Sequence, residues 1–212
     1  MNERAPHPLG VYVVTSSGLL PGRSHADVAL AAIQGGADAI QLRAKELDDE
    51  ALGRLASELA GACRDADVLF IVNDRIDVAL AAGADGVHVG QDDDPGRARA
   101  RLGPDGVLGI SVGSPEQARE AERAGADYVG VTVWQTATKP DAVPRGLDGV
   151  RAAVAATSLP VIGIGGITAA NAADVIAAGA AGVAVISAVG AADDPVRATR
   201  ELVDAVHRGA VR

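Results

Sequence analysis

Four stretches of the chain repeat one short phrase: Gly36-Ala37-Asp38-Ala39-Ile40, Gly83-Ala84-Asp85-Gly86-Val87, Gly125-Ala126-Asp127-Tyr128-Val129 and Gly179-Ala180-Ala181-Gly182-Val183. Each closes an Ala-rich stretch with helical spacing and runs into a short β-branched one. Gly is the usual residue just past a helix, where the backbone turns left-handed, and short Val/Ile runs suit strands buried on both faces of a parallel sheet. A chain that repeats helix end, turn and buried strand is assembled from βα units.

The same reading places eight strands, at 11–15, 39–43, 68–73, 86–89, 107–111, 128–131, 161–164 and 182–186. Helices are expected between them, over 25–34, 49–62, 76–82, 95–101, 115–124, 147–156, 170–178 and 195–207. Ser114-Pro115 and Asp194-Pro195 read as an N-cap followed by Pro in the first helical position. Strict βα alternation with short connections gives a closed parallel barrel or an open doubly wound sheet. Eight units, with polar residues bunched after many different strands, favour the α/β class and a single (β/α)8 TIM barrel over residues 1–212. No linker or low-complexity tract divides the chain. At 212 residues it is slightly short for that fold. Aromatics make up only 2% of it, so Ala, Val, Ile and Leu must form the core, which suits close helix–strand contacts.

A net charge of −9 argues against nucleic acid or an anionic membrane as partner, since both call for a basic field. An anionic ligand would need a local cationic pocket. Cys63 is the only cysteine, which rules out an internal disulfide and suits a reducing cytoplasm. It sits in a helical stretch with no neighbouring His and reads as a buried structural thiol. Residues 1–8 carry charges and two prolines but no apolar run, so they read as a disordered, frayed terminus and not as a signal peptide. The uncharged segment 175–192 is mostly Ala and Gly, and reads as helix end, turn and buried strand, not as a membrane span.

The residues after each strand carry the chemistry, because an α/β barrel builds its active site at the C-terminal ends of its strands. In Gln41-Leu42-Arg43-Ala44-Lys45, a period of two puts Gln41, Arg43 and Lys45 on one face, a clamp for phosphate or pyrophosphate oxygens. The alternative is a solvated strand end pairing with Glu46 or Asp48. Asn73-Asp74 and Gly90-Gln91-Asp92-Asp93-Asp94 end neighbouring strands, and two carboxylates so placed can share a Mg²⁺. Asp74 and Asp94 could instead cap the following helices. For Asp94, before Pro95, the cap is preferred. Asp93 is the metal candidate and Asp92 the bystander. His88 reads as a hydrogen-bonded packing residue outside the chemistry, and Ser111 as a phosphate contact or turn residue.

Thr136-Ala137-Thr138-Lys139-Pro140 lies in a long connection reaching Gly146, a length typical of lids. Two hydroxyls and a Lys suit an anion there; Trp134 either stacks on a ring or, more commonly, anchors the loop. Gly163-Ile164-Gly165-Gly166-Ile167-Thr168 and Val185-Ile186-Ser187-Ala188 close strands seven and eight. That is the phosphate-binding place of this fold, where backbone amides approach an anion without a Cβ in the way.

Taken together, Gln41-Leu42-Arg43-x-Lys45, Val72-Asn73-Asp74, His88-x-Gly90-Gln91-x-Asp93, Thr136-x-Thr138-Lys139 and Gly165-Gly166-Ile167 resemble the thiamine-phosphate synthase family, over nearly the whole chain. The resemblance implies an enzyme that joins the pyrimidine and thiazole halves of thiamine. By it, Gln41, Arg43, Lys45, Asn73, Ser111 and Lys139 hold the pyrimidine diphosphate, with Arg43, Lys45, Lys139 and Ser111 serving catalysis. Asp74 and Asp93 bind Mg²⁺, and Thr136, Thr138, Gly166, Ile186 and Ser187 contact the thiazole phosphate. Pyrophosphate leaves the pyrimidine methylene, and the thiazole nitrogen captures the resulting carbocation.

The family usually has Gly-Pro and two or three more residues between strand six and its Thr-x-Thr-Lys. Here Thr132-Val133-Trp134-Gln135 stands in that place without Gly-Pro and one residue shorter, and Thr15-Ser16 replaces a Thr-Asp after strand one. The rival readings are a thiazole tautomerase-like isomerase, a non-catalytic thiazole-phosphate-binding relative and an unrelated phosphate-binding barrel. The expected partners are small phosphorylated molecules; a homo-oligomer is compatible with the sequence.

Overall fold

The computed structural model describes residues 9–91, 93–138, 140 and 142–211. The amino-terminal segment read as a frayed tail, Asp92 and Lys139 lie outside them. Eight parallel strands close a barrel in sequence order: β1 (Val11–Val14), β2 (Ala39–Leu42), β3 (Leu69–Asn73), β4 (Gly86–Val89), β5 (Val107–Val112), β6 (Tyr128–Thr132), β7 (Val161–Ile164) and β8 (Gly182–Val185). Around it run α1 (His25–Gly35), α2 (Asp49–Asp65), α3 (Ile76–Ala82), α4 (Pro95–Leu102), α5 (Pro115–Arg123), α6 (Gly146–Ala156), α7 (Ala172–Ala177), a short α8 (Ser187–Gly190) and α9 (Pro195–Ala210). The sequence expectation holds at every strand. It does not foresee α8, one turn of small residues read as the end of β8.

The repeated phrase works as a base clasp. Gly36, Gly83, Gly125 and Gly179 all have positive φ, between 69° and 101°, which ends each helix and turns the chain into the next strand. The Asp two residues later then grips the preceding strand at two points. Asp38 accepts the Val11 N–H at 2.7 Å and donates its own N–H to Val11 O at 2.9 Å. Asp85 does the same to Phe70 and Asp127 to Leu108. In the fourth copy Ala181 supplies only the amide, to Val161 O at 2.8 Å. A strand-end N–H buried without such a partner costs about 1–3 kcal/mol. Asp127 also pairs at 2.6 Å with Arg99, whose guanidinium reaches the Gly103, Gly106 and Gly125 carbonyls.

Alternation sorts the strands into two apolar layers. Val11, Val13, Ile40, Leu42, Phe70 and Val72 face the helices, while Tyr12, Val14, Leu69, Ile71, Tyr128 and Ile162 fill the barrel. Inside, size is matched: a Cβ on Gly109 would lie 2.0 Å from the Tyr128 ring, so Gly on β5 makes room for Tyr on β6. Ser114, Asp194 and Asp94 cap α5, α9 and α4 as expected. Cys63 is buried on α2. Among the described residues no helix is long and apolar enough to cross a membrane.

Candidate active site

At the C-terminal ends of the strands a cavity opens between Gln41, Arg43, Asn73, His88, Ser111, Thr136, Thr138, Gly166, Ile186 and Ser187. Its floor is the top of the barrel filling: period-two alternation that points Tyr12 and Tyr128 inward also aims Gln41, His88 and Ser111 into this space. These five form one hydrogen-bonded row. Gln41 Nε2 donates to Tyr12 Oη at 2.8 Å, the two Tyr hydroxyls lie 2.9 Å apart, Tyr128 Oη is 3.0 Å from His88 Nδ1, and His88 Nε2 is 2.9 Å from Ser111 Oγ. Burial pushes both phenols well above their ordinary pKa, so each keeps its single hydrogen. Gln41 donates into Tyr12, and each later member of the row can serve as donor or acceptor to the next, so the row joins the Gln41 amide to the Ser111 hydroxyl at the cavity wall.

Charge gathers on one side of the mouth. Arg43 lines the cavity, and Arg43 and Lys45 both act on Asp74 electrostatically. Asp74 and Asp93 line an adjoining, more open depression with Asp49, Arg75, Arg97 and Arg101. Although the Asp74 side chain reaches solvent, loss of water around the carboxyl, and then Asp93, hold it above the usual carboxylate range despite the two cations. Asp74 also adopts a left-handed backbone, φ 62°, which is uncommon outside Gly. It does not cap α3, whose N-cap is Arg75 with no side-chain bond. One Asp93 oxygen accepts the Gly90 N–H at 2.8 Å.

The connection after β6 lies across the opposite side. Val133 and Trp134 donate their N–H groups to Ile164 O and Gly165 O, at 2.7 and 3.2 Å, extending the β6–β7 pairing past the barrel. Thr136 and Thr138 hydroxyls meet at 3.0 Å. Gly165 and Gly166 have φ of 95° and 65°, and a Cβ on Gly166 would meet Trp134 Cβ at 3.0 Å and Gln135 O at 3.2 Å. The missing side chain at Gly166 thus lets the loop seat against the turn, a packing reason for glycine besides the open approach to an anion that the sequence suggests. Trp134 packs against the core and anchors the loop.

The chain as a whole is similar to a known group of enzymes. The profile of the family described as thiamine monophosphate synthase matches residues 11–189. Thiamine-phosphate synthase of Natronomonas pharaonis is 53% identical over 202 residues, covering 93% of this chain and 94% of the relative. That of Archaeoglobus fulgidus is 48% identical, covering 94% of each. The solved thiamine phosphate pyrophosphorylase of Pyrococcus furiosus superposes with a TM-score of 0.88 at 40% identity, over 96% of this chain and 98% of its own.

The chain belongs to the thiamine monophosphate synthase family.

It is accordingly a transferase of thiamine biosynthesis. A 3-hexulose-6-phosphate synthase, 20% identical with a TM-score of 0.66, shares the barrel fold alone. Within the family frame, the structure brings Gln41, Arg43, Asn73, Ser111, Thr136, Thr138, Gly166, Ile186 and Ser187 around one cavity. It sets Asp74 and Asp93 in the adjoining depression, and Lys45, which does not line the cavity, within electrostatic reach of Asp74. Tyr12 and Tyr128 escape the sequence reading, which places them in strands and gives them no role. The available signal is that they are the chain's only tyrosines, in phase with the inward positions, and that a buried phenol needs a partner. His88 is hydrogen-bonded, as expected, but its partners make it part of the cavity wall.

Proposed function

We propose that the chain condenses 4-amino-5-hydroxymethyl-2-methylpyrimidine diphosphate with 4-methyl-5-(2-phosphoethyl)thiazole, giving thiamine phosphate and pyrophosphate. The observation that carries this reading is the convergence of Arg43 and Lys45 on Asp74 beside a cavity with apolar walls. It offers charge for a departing anion and walls for two rings. Arg43, Lys45, Asn73 and Lys139 hold the diphosphate, and Ser111 donates its hydroxyl to it. Gln41 reads the pyrimidine from the floor. Thr136, Thr138, Gly166, Ile186 and Ser187 receive the thiazole phosphate on the far side.

Asp74 and Asp93 suit Mg²⁺: both are hard oxygen donors, and the loss of water and the neighbouring Asp93 charge that together hold Asp74 above its usual range are both offset by a cation between them. Two carboxylates, with water and phosphate oxygens completing the shell, is the usual Mg²⁺ arrangement in phosphate sites. When bound, the ion neutralises charge on the diphosphate. The C–O bond to the pyrimidine methylene breaks with its electron pair going to pyrophosphate, and the thiazole nitrogen lone pair forms the new N–C bond. Arg43 and Lys45 act most strongly as charge builds on the leaving oxygens, so electrostatic stabilisation is the main catalytic contribution.

The test is a steady-state assay of pyrophosphate release. Release requiring both substrates and abolished by excess chelator is expected. Isomerisation of the thiazole phosphate alone, without pyrophosphate, would replace this reading with a tautomerase. Tight thiazole phosphate binding with no turnover would leave a non-catalytic relative. Full activity in chelator would remove the metal.

A further inference from the structure

Behind the strand end that carries Gln41, Arg43 and Lys45 lies a second polar row. Thr15, the residue after β1, is fully buried and holds the neighbouring strand at two points. Its N–H donates to Gln41 O at 2.9 Å, and its hydroxyl accepts the Arg43 N–H at 3.1 Å. The same hydroxyl is 2.8 Å from Nδ1 of His25, which is only 7% exposed at the start of α1. His25 Nε2 reaches Glu46 Oε1 at 2.7 Å, and Glu46 also takes the Ser17 hydroxyl. The Arg43 N–H, the Thr15 hydroxyl, the His25 ring and the Glu46 carboxylate thus form one hydrogen-bonded row.

We propose that Thr15, His25 and Glu46 are positioning residues for the diphosphate clamp: they fix the backbone at both ends of Arg43-Ala44-Lys45 so that the two cations converge. None of the three lines the cavity. Arg43 and Lys45 have no ion pair among the described residues to hold them. Their direction therefore depends on the main chain beneath, and a shift of about 1 Å in such a group can cost on the order of a hundred-fold in rate. A control lies two residues before His25. Arg23 binds the Gly190 and Ala192 carbonyls at the far end of α8, two strands around the barrel from the clamp and without a bond to Thr15, His25 or Glu46 among the hydrogen bonds of the described residues.

The inference rests on the diphosphate being held at Arg43 and Lys45, and the experiment separates the two. Inorganic pyrophosphate with Mg²⁺, and separately the thiazole phosphate, are titrated calorimetrically into the parent and variants. Arg43→Ala tests the underlying reading; Thr15→Val, Thr15→Ser, His25→Ala and Arg23→Gln test this one. Thr15→Val and His25→Ala should weaken pyrophosphate about ten-fold and leave thiazole phosphate within about two-fold, with Thr15→Ser near the parent. Arg23→Gln should leave pyrophosphate unchanged. Melting curves establish that each variant is folded, and His25→Ala carries the test if Thr15→Val is not. Parent-like pyrophosphate binding in Thr15→Val or His25→Ala, with Arg43→Ala impaired, overturns the inference. So does equal loss of both ligands, or failure of Thr15→Ser to restore binding. If Arg43→Ala binds pyrophosphate like the parent, the underlying reading falls, and this one with it.

Discussion

The two ends of this barrel use the same residue types to opposite effect. At the base, Asp38, Asp85 and Asp127 each close a two-point clasp on one main-chain residue, and Asp127 adds Arg99, itself held by three carbonyls. At the mouth, Arg43 and Lys45 enter no ion pair among the described residues, and Asp74 is held above its usual range by water loss and by Asp93. Charge that finds its partner within the fold supports the fold. Charge left wanting one marks where a ligand completes the set, which is why perturbed groups gather at functional sites.

Four measurements would break or sharpen that contrast. Asp127→Ala removes a clasp and leaves Arg99 in a half-buried site without its carboxylate; the unpaired Leu108 N–H and the lost charge-assisted bond each cost about 1–3 kcal/mol. The melting temperature should fall by roughly 10 °C for a chain of this size, with kcat of the surviving enzyme unchanged. A matching fall in kcat would show that base and mouth are not separate. Arg43→Ala should do the reverse. Removing one charge-assisted contact to a developing anion costs about 2–4 kcal/mol, so kcat/KM should drop roughly a hundred-fold or more while the melting temperature holds.

Gly109→Ala lies between the two regions. Its methyl would displace the Tyr128 ring, costing about 1–3 kcal/mol of stability as an overpacked core and disturbing the row that ends on Ser111. Melting temperature and kcat/KM should fall together, and loss of only one would uncouple the floor from the packing below it. The smallest effect concerns Cys63, whose thiol is pushed up to about 12 by burial and then by the clasp carboxylate Asp85. Iodoacetamide between about pH 7 and 9 should leave it unmodified in the native protein and alkylate it only after unfolding. Rapid native labelling would mean that the base opens far more readily than its clasps allow.

The barrel was legible because its local signals agree. Buried parallel strands are short β-branched runs, and the Gly-Ala-Asp phrase marks where each helix stops. α8 was not, since a single turn of Ser, Ala, Val and Gly has neither length nor periodicity to distinguish it from a strand end. At the mouth, strand-end polar residues could be read one strand at a time, Gln41 through a period of two and Asn73 and Ser111 through their place where a strand ends, and all three line the cavity. What a single strand does not carry is the pairing across the barrel. Tyr12 and Tyr128 are 116 positions apart, and only closure brings their hydroxyls together. The packing of Gly166 against the loop was hidden for the same reason, because the atoms it clears belong to the loop after another strand.

Three of the four strand pairs are locked at their base, and β7 with β8 is not, because Ala181 offers an amide where the other copies offer amide and carboxylate. Local opening in native proteins begins in the unit with the fewest bonds to break. In hydrogen exchange, the amides of β7 and β8 should lose protection before those of β1 to β6. Gly165, Gly166, Ile186 and Ser187 hang from that unit. That order of exchange would divide the eight similar units into a six-strand shell and a two-strand leaf, with the proposed phosphate seat on the leaf; simultaneous loss of protection in all eight strands would leave no such division.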